Sequence, residues 1–138
     1  MSSYEIHAGK GEARWFIVLR LADDPKCTLY TSELSKNHYD HKVLEEQDFE
    51  SLNFASLELI ATVPEADFLK FETGCPLAAS PGPTKHYVVR VLYMMLAAGY
   101  VEQDVALRFK REAEYSDEEK AVRDGWYVKR DEEFYARV

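Results

Sequence analysis

Ala13-Arg14-Trp15-Phe16-Ile17-Val18-Leu19-Arg20-Leu21 is the stretch on which the fold turns. From Trp15 to Leu19 every residue is apolar, so neither face of an extended strand is left polar, as expected of a strand covered on both sides. Upstream, Tyr4 to His7 forms a second extended run, and Gly9-Lys10-Gly11 lies between them with two residues free to take positive φ; the pattern predicts a β-hairpin. Downstream, Asp23-Asp24-Pro25 is a turn signal, and Thr28 to Leu34, rich in Thr and Tyr, predicts a third strand.

From Ser35 to Asn53 the pattern turns polar and acidic, with Val43, Leu44, Phe49 and Leu52 as the anchors of a loop that holds one short helix. Leu57, Leu59, Ala61 and Val63 then alternate with Glu58 and Thr62, which predicts a strand with one apolar face, stopped by Pro64. Pro64-Glu65-Ala66-Asp67 opens a brief helix, with Pro in its first turn and two acids near the positive end of its dipole. Gly74-Cys75-Pro76 and Ser80-Pro81-Gly82-Pro83 bracket an irregular linker, expected to be exposed, because its prolines withhold backbone donors.

Thr84 is read as the N-cap of a helix through Ala98, with Val88, Val91, Leu92, Met95 and Leu96 at helical spacing and Gly99 as the stop. A second helix spans Val101 to Glu114, with Val105, Ala106, Phe109 and Ala113 on one face. Ser116-Asp117-Glu118-Glu119 fits a capping box and predicts a short third helix closed by Gly125, and Trp126 to Val138 predicts a terminal hairpin. The expected architecture is one α+β domain, residues 1–138. Its antiparallel sheet of roughly four to six strands (N-terminal hairpin, central strands, C-terminal hairpin) packs on two or three C-terminal helices.

Composition narrows the classes. Hydrophobic residues make up 46% and aromatics 13% of the chain, too much apolar surface for a disordered one. Met1-Ser2-Ser3-Tyr4-Glu5 has no basic flank or apolar run of a secretory signal. The longest apolar run, Tyr87 to Tyr100, is broken by Arg90 and falls short of the roughly 20 residues a membrane span needs. A cytoplasmic location without membrane contact is therefore the expectation, with Cys27 and Cys75 as reduced thiols.

Charge carries the functional clue. Residues 33–72 hold ten acidic side chains against three basic ones, in a chain whose net charge is −8. Asp40, Glu45, Glu46, Asp48 and Glu50, interleaved with Tyr39 and Phe49, are expected to form an anionic patch with aromatic anchors. The expected function is a non-enzymatic inhibitor or adaptor without cofactor. It would engage a basic protein or nucleoprotein complex, one form being a nucleic-acid mimic acting on a defence or nucleic-acid-processing complex. A homo-oligomer stays open.

Motifs with chemical potential are weaker. His38-Tyr39-Asp40-His41 places two imidazoles three apart, which on a helix would offer two of the three or four ligands a zinc site requires, so no metal is expected. Cys75 would need an electropositive setting to become a nucleophile, and Phe68-Leu69-Lys70-Phe71-Glu72 supplies one cation and one anion. A small enzyme or ligand-binding domain using Cys75, or His38 and His41, is the alternative. Gly9-Lys10-Gly11 lacks the order of a phosphate-binding loop. The C-terminal half has the outline of a winged helix, but Asp117-Glu118-Glu119 would point three acids at phosphates, so direct nucleic-acid binding is not expected.

Overall fold

The computed structural model describes residues 2–123, and side chains as far as Glu114. Five strands form one antiparallel sheet: β1 (Ser3–Lys10), β2 (Trp15–Leu21), β3 (Lys26–Ser35), β4 (His38–Asp48) and β5 (Ser56–Pro64), in the order β4-β3-β2-β1-β5. Three helices follow, α1 (Phe68–Gly74), α2 (Thr84–Ala97) and α3 (Gln103–Arg123), giving the expected α+β class. The terminal hairpin expected over residues 126–138 lies outside the described residues. Among the described residues no helix is long and apolar enough to cross a membrane.

The sheet's two faces have separate cores, and β2 explains why. Trp15, Ile17 and Leu19 face the helices, where they meet Ile6, Ala8, Tyr30, Val63, Phe71, Val88, Val91, Leu92, Met95 and Phe109. Phe16 and Val18 point the other way, into a smaller cluster with Cys27, Leu29, Leu44, Phe49, Leu52 and Phe54. The β4–β5 connection covers that second face. It crosses from one edge of the sheet to the other through a 3-10 turn at Phe49–Ser51, pinned at its ends by Phe49 N donating to Pro25 O and Ala55 N donating to Lys10 O. Burying a large apolar side chain fully contributes about 1.5–3 kcal/mol, so the double coverage makes β2 the best-anchored strand.

The structure corrects the sequence reading at several places. The segment read as a loop from Ser35 is mostly β4, an edge strand whose burial pattern lacks a clean apolar alternation. The hairpin of β1 and β2 turns at Gly11–Arg14, where Gly11 N donates to Arg14 O, and needs no glycine at positive φ; Gly9 sits inside β1 beneath the Phe54 ring. In β5 the pairing with β1 slips between Ile6 and His7, a bulge that turns Leu57 and Leu59 away from the helices while Ala61 and Val63 keep facing them.

Thr84 is not a cap: its Oγ1 accepts a hydrogen bond from Trp15 N at 3.0 Å, tying α2 to β2, and Pro83 occupies the N-cap. Gly99, at φ 85, ends α2 as expected. The second and third expected helices are one continuous α3, since no Gly or Pro separates Glu114 from Asp117. The proline-rich linker is irregular and exposed only in part, at Gly74, Leu77, Ala78, Ser80 and Pro83. Cys75, Pro76, Ala79 and Gly82 are buried, and side chains satisfy its carbonyls: Tyr87 Oη donates to Pro76 O, and Ser32 Oγ to Gly82 O.

Candidate functional site

β4 is an edge strand with two faces of different character. Tyr30 faces the helices and lies opposite Val43, so Val43, His41 and Tyr39 share that side, while Leu44, Lys42, Asp40 and His38 share the other. His41 Nε2 approaches Ala79 O at 2.6 Å and its ring meets Tyr87 edge-on, whereas Leu44 enters the second cluster. Beyond Leu44 the register with β3 shifts, Glu46 takes φ 56, and Gln47 comes opposite Cys27. This bulge turns Glu45 and Glu46 outward where the regular strand ends.

Other segments bring more carboxylates to the same end of the sheet. Lys26 lies opposite Asp48, Tyr4 opposite both Leu21 and Val63, and Ser3 opposite Pro64. The turn Asp23-Asp24, the end of β4 with Asp48 and Glu50, and Glu65 and Asp67 after β5 therefore line that end, across a sheet roughly 19 Å wide between its edge strands. Electrostatics report the same gathering. Burial raises the Tyr4 phenol, and the nearby charges of Glu65, Asp24 and Glu72 raise it further. The Cys27 thiol is raised by burial, with Arg20 and Lys26 opposing and Asp48 and Asp24 adding to it.

Among the described residues Arg20 and Lys26 lie at this end, and neither forms an ion pair with the carboxylates that line it. Arg20 lies 3.8 Å from Glu5, donates to Asp24 O at 2.7 Å, and holds its guanidinium 4.1 Å from the Phe49 ring. Among the described residues no Lys, Arg or His lies within 4.0 Å of a carboxylate oxygen of Asp23, Asp24, Glu45, Glu46, Asp48, Glu50, Glu65 or Asp67. Two unit charges ~10 Å apart in water repel by about 0.4 kcal/mol before screening, so the cluster carries a repulsion that an opposing cationic surface would relieve.

Of the residues selected from sequence, Glu45, Glu46, Asp48 and Glu50 are exposed at this acidic end. Phe49 adjoins them but is half-buried, packed on Arg20, with the His7 ring 5.3 Å away. Tyr39 and Asp40 lie toward the opposite end of β4, roughly 25–30 Å from Asp48 at the usual rise per residue, and on opposite faces. Tyr39 there borders a cleft of about 260 Å³ lined also by Arg14, Glu33, Leu34 and Pro83. Asp23 and Asp24 were missed. Their turn was legible, but its approach to the acidic segment follows only once β4 is known to pair with β3.

The alternative chemistry has a different setting from the one it needs. Cys75 is 1% exposed, and burial pushes its thiol up to about 11, away from a reactive thiolate. His38 and His41 sit three apart on a strand, not a helix, and so project to opposite faces; His38 pairs with Asp40 at 3.1 Å. Among the described residues no three His, Cys, Asp or Glu side chains are grouped as metal ligands.

Comparisons of the chain with protein-family models, with curated proteins and with solved structures return no match.

Proposed function

We propose that this chain is a protein-interaction module, an inhibitor or adaptor that docks the acidic end of its sheet onto a basic surface of a partner protein. The observation that carries the reading is the placement of Asp23, Asp24, Glu45, Glu46, Asp48, Glu50, Glu65 and Asp67 along one end of the sheet, with no ion pair to any of them among the described residues. Rigid strands and tight turns hold these carboxylates in place, so binding need not order a flexible segment first. Long-range attraction would steer a cationic partner to this end, and salt would weaken the encounter. A partner site that normally holds phosphates is one such surface, since fixed carboxylates offer comparable negative charge.

Capture from an extract of the native host tests this reading. Immobilised wild-type chain should retain a specific protein at low salt and release it at high salt. The variant with Glu45, Glu46, Asp48 and Glu50 all changed to Ser should retain about a tenth or less of it while keeping its fold. Equal retention by both proteins would remove the proposal.

A further inference from the structure

The sheet ends in two edges, and they differ. β5 is interrupted by its bulge and closed by Pro64, both devices that discourage another strand from adding there. β4 is interrupted only beyond Leu44. From His38 to Leu44 its register with β3 is unbroken, and among the described residues no strand pairs with its outer side.

We infer that two copies of this chain associate by antiparallel pairing of His38–Leu44 with the same segment of a second copy, about a two-fold axis at His41. The register follows from symmetry and charge. A two-fold axis perpendicular to the sheet keeps each face on its own side, and directly opposed residues must share a face, so the axis must fall at a residue position. Centring on Asp40 or Lys42 sets like charges against each other, and centring on Val43 runs the pairing into the bulge at Glu45. Centring on His41 uses the whole regular run. It sets Asp40 against the second copy's Lys42 twice, and Tyr39 against the second copy's Val43 twice.

Both faces of β4 fit this arrangement. Lys42 Nζ lies 3.0 Å from Glu33 Oε1, and Glu33 is the cross-strand neighbour of Asp40. Each Lys42 would thus bridge its own Glu33 and the Asp40 across the axis. On the helix-facing side Leu34, Tyr39 and Val43 are 60%, 36% and 39% exposed, and Leu34 lies opposite Tyr39. Pairing continues this apolar row across the axis and covers it. Glu45 and Glu46 adjoin the paired segment and the other six carboxylates of the docking end lie beyond it, and variants of Asp40 and Lys42 test the pairing while leaving all eight unchanged.

The test is sedimentation equilibrium of the full chain up to about 300 µM for the wild type, Asp40→Lys, Lys42→Asp and the double variant, with far-UV circular dichroism to verify folding. The wild type should show a monomer–dimer equilibrium, and each single variant should weaken it about tenfold or more by opposing like charges twice. The double variant should restore association to within about threefold of wild type, because it exchanges the two charges across the axis. A wild-type monomer throughout the range, single variants that dimerise as wild type, or a folded double variant no better than the singles would each overturn the inference.

Discussion

Gly9→Ala measures how closely the crossing segment seals the second face of the sheet. Gly9 has no positive φ, so its backbone alone accepts Ala, and relief of glycine's entropy within a strand should stabilise the fold by about 0.5–1 kcal/mol. Space is the obstacle. An added Cβ would meet Phe54 Cε2 at 2.7 Å and Cδ2 at 2.8 Å, well inside the ~3.5–4.0 Å of carbon contact. Moving the ring disturbs its contact with Phe16, 5.3 Å between centroids, and overpacking of this kind costs about 1–3 kcal/mol. The net effect is a destabilisation of roughly 1 kcal/mol. In a Phe54→Ala background the obstruction is gone, and the same change should stabilise by about 0.5–1 kcal/mol. Urea unfolding of the four proteins, followed by circular dichroism and tryptophan fluorescence, gives both values. Equal effects of Gly9→Ala in the two backgrounds would refute the packing of Phe54 on β1.

Alkaline stability tests the buried phenols. Burial raises the Tyr30 and Tyr87 phenols, and for Tyr30 the 2.5 Å hydrogen bond to Glu72 adds to the rise, so each folded phenol holds its proton more tightly than in the unfolded chain. Their contribution is complete below about pH 10 and is lost as pH rises above it. Tyr30→Phe should cost about 1 kcal/mol at neutral pH and flatten the decline above pH 10 in urea titrations; an unchanged alkaline slope would contradict this. With its thiol pushed up to about 11, Cys75 should be thiolate in roughly one molecule in several thousand at pH 7.5. A disulfide reagent should therefore modify native protein far more slowly than urea-unfolded protein, and free-cysteine rates on the native chain would contradict the burial. Because His38 and His41 project to opposite faces of β4, about 100 µM zinc should leave the thermal midpoint unchanged, and a rise that His41→Ala abolishes would show convergence after all.

Elements whose apolar pattern is local were legible in the sequence. The continuous run of β2, the helical spacing of Val88, Val91, Leu92 and Met95, and the stop at Gly99 each encode their own environment. β4 was not legible because an edge strand buries little. Val43 is partly exposed, Leu44 answers only to the small second cluster, and polar or charged residues and Tyr39 occupy the remaining positions. The exposure of Leu57 and Leu59 depends on a bulge, and a shift of one residue inverts every face beyond it. The burial of Cys75 was hidden because Gly and Pro mark irregular backbone without telling whether that backbone is covered. Half of the acidic end was legible as a run of carboxylates. Asp23 and Asp24 join it through the pairing of β3 with β4, a contact that no local pattern records.

The most direct measurement is the salt dependence of affinity between this chain and a partner purified by capture from the host. For wild type, log Kd should rise steeply with log salt concentration. The Glu45, Glu46, Asp48 and Glu50 to Ser variant should bind about tenfold more weakly with a visibly shallower slope. Identical affinities and slopes for the two folded proteins would contradict a docking role for the acidic end of the sheet.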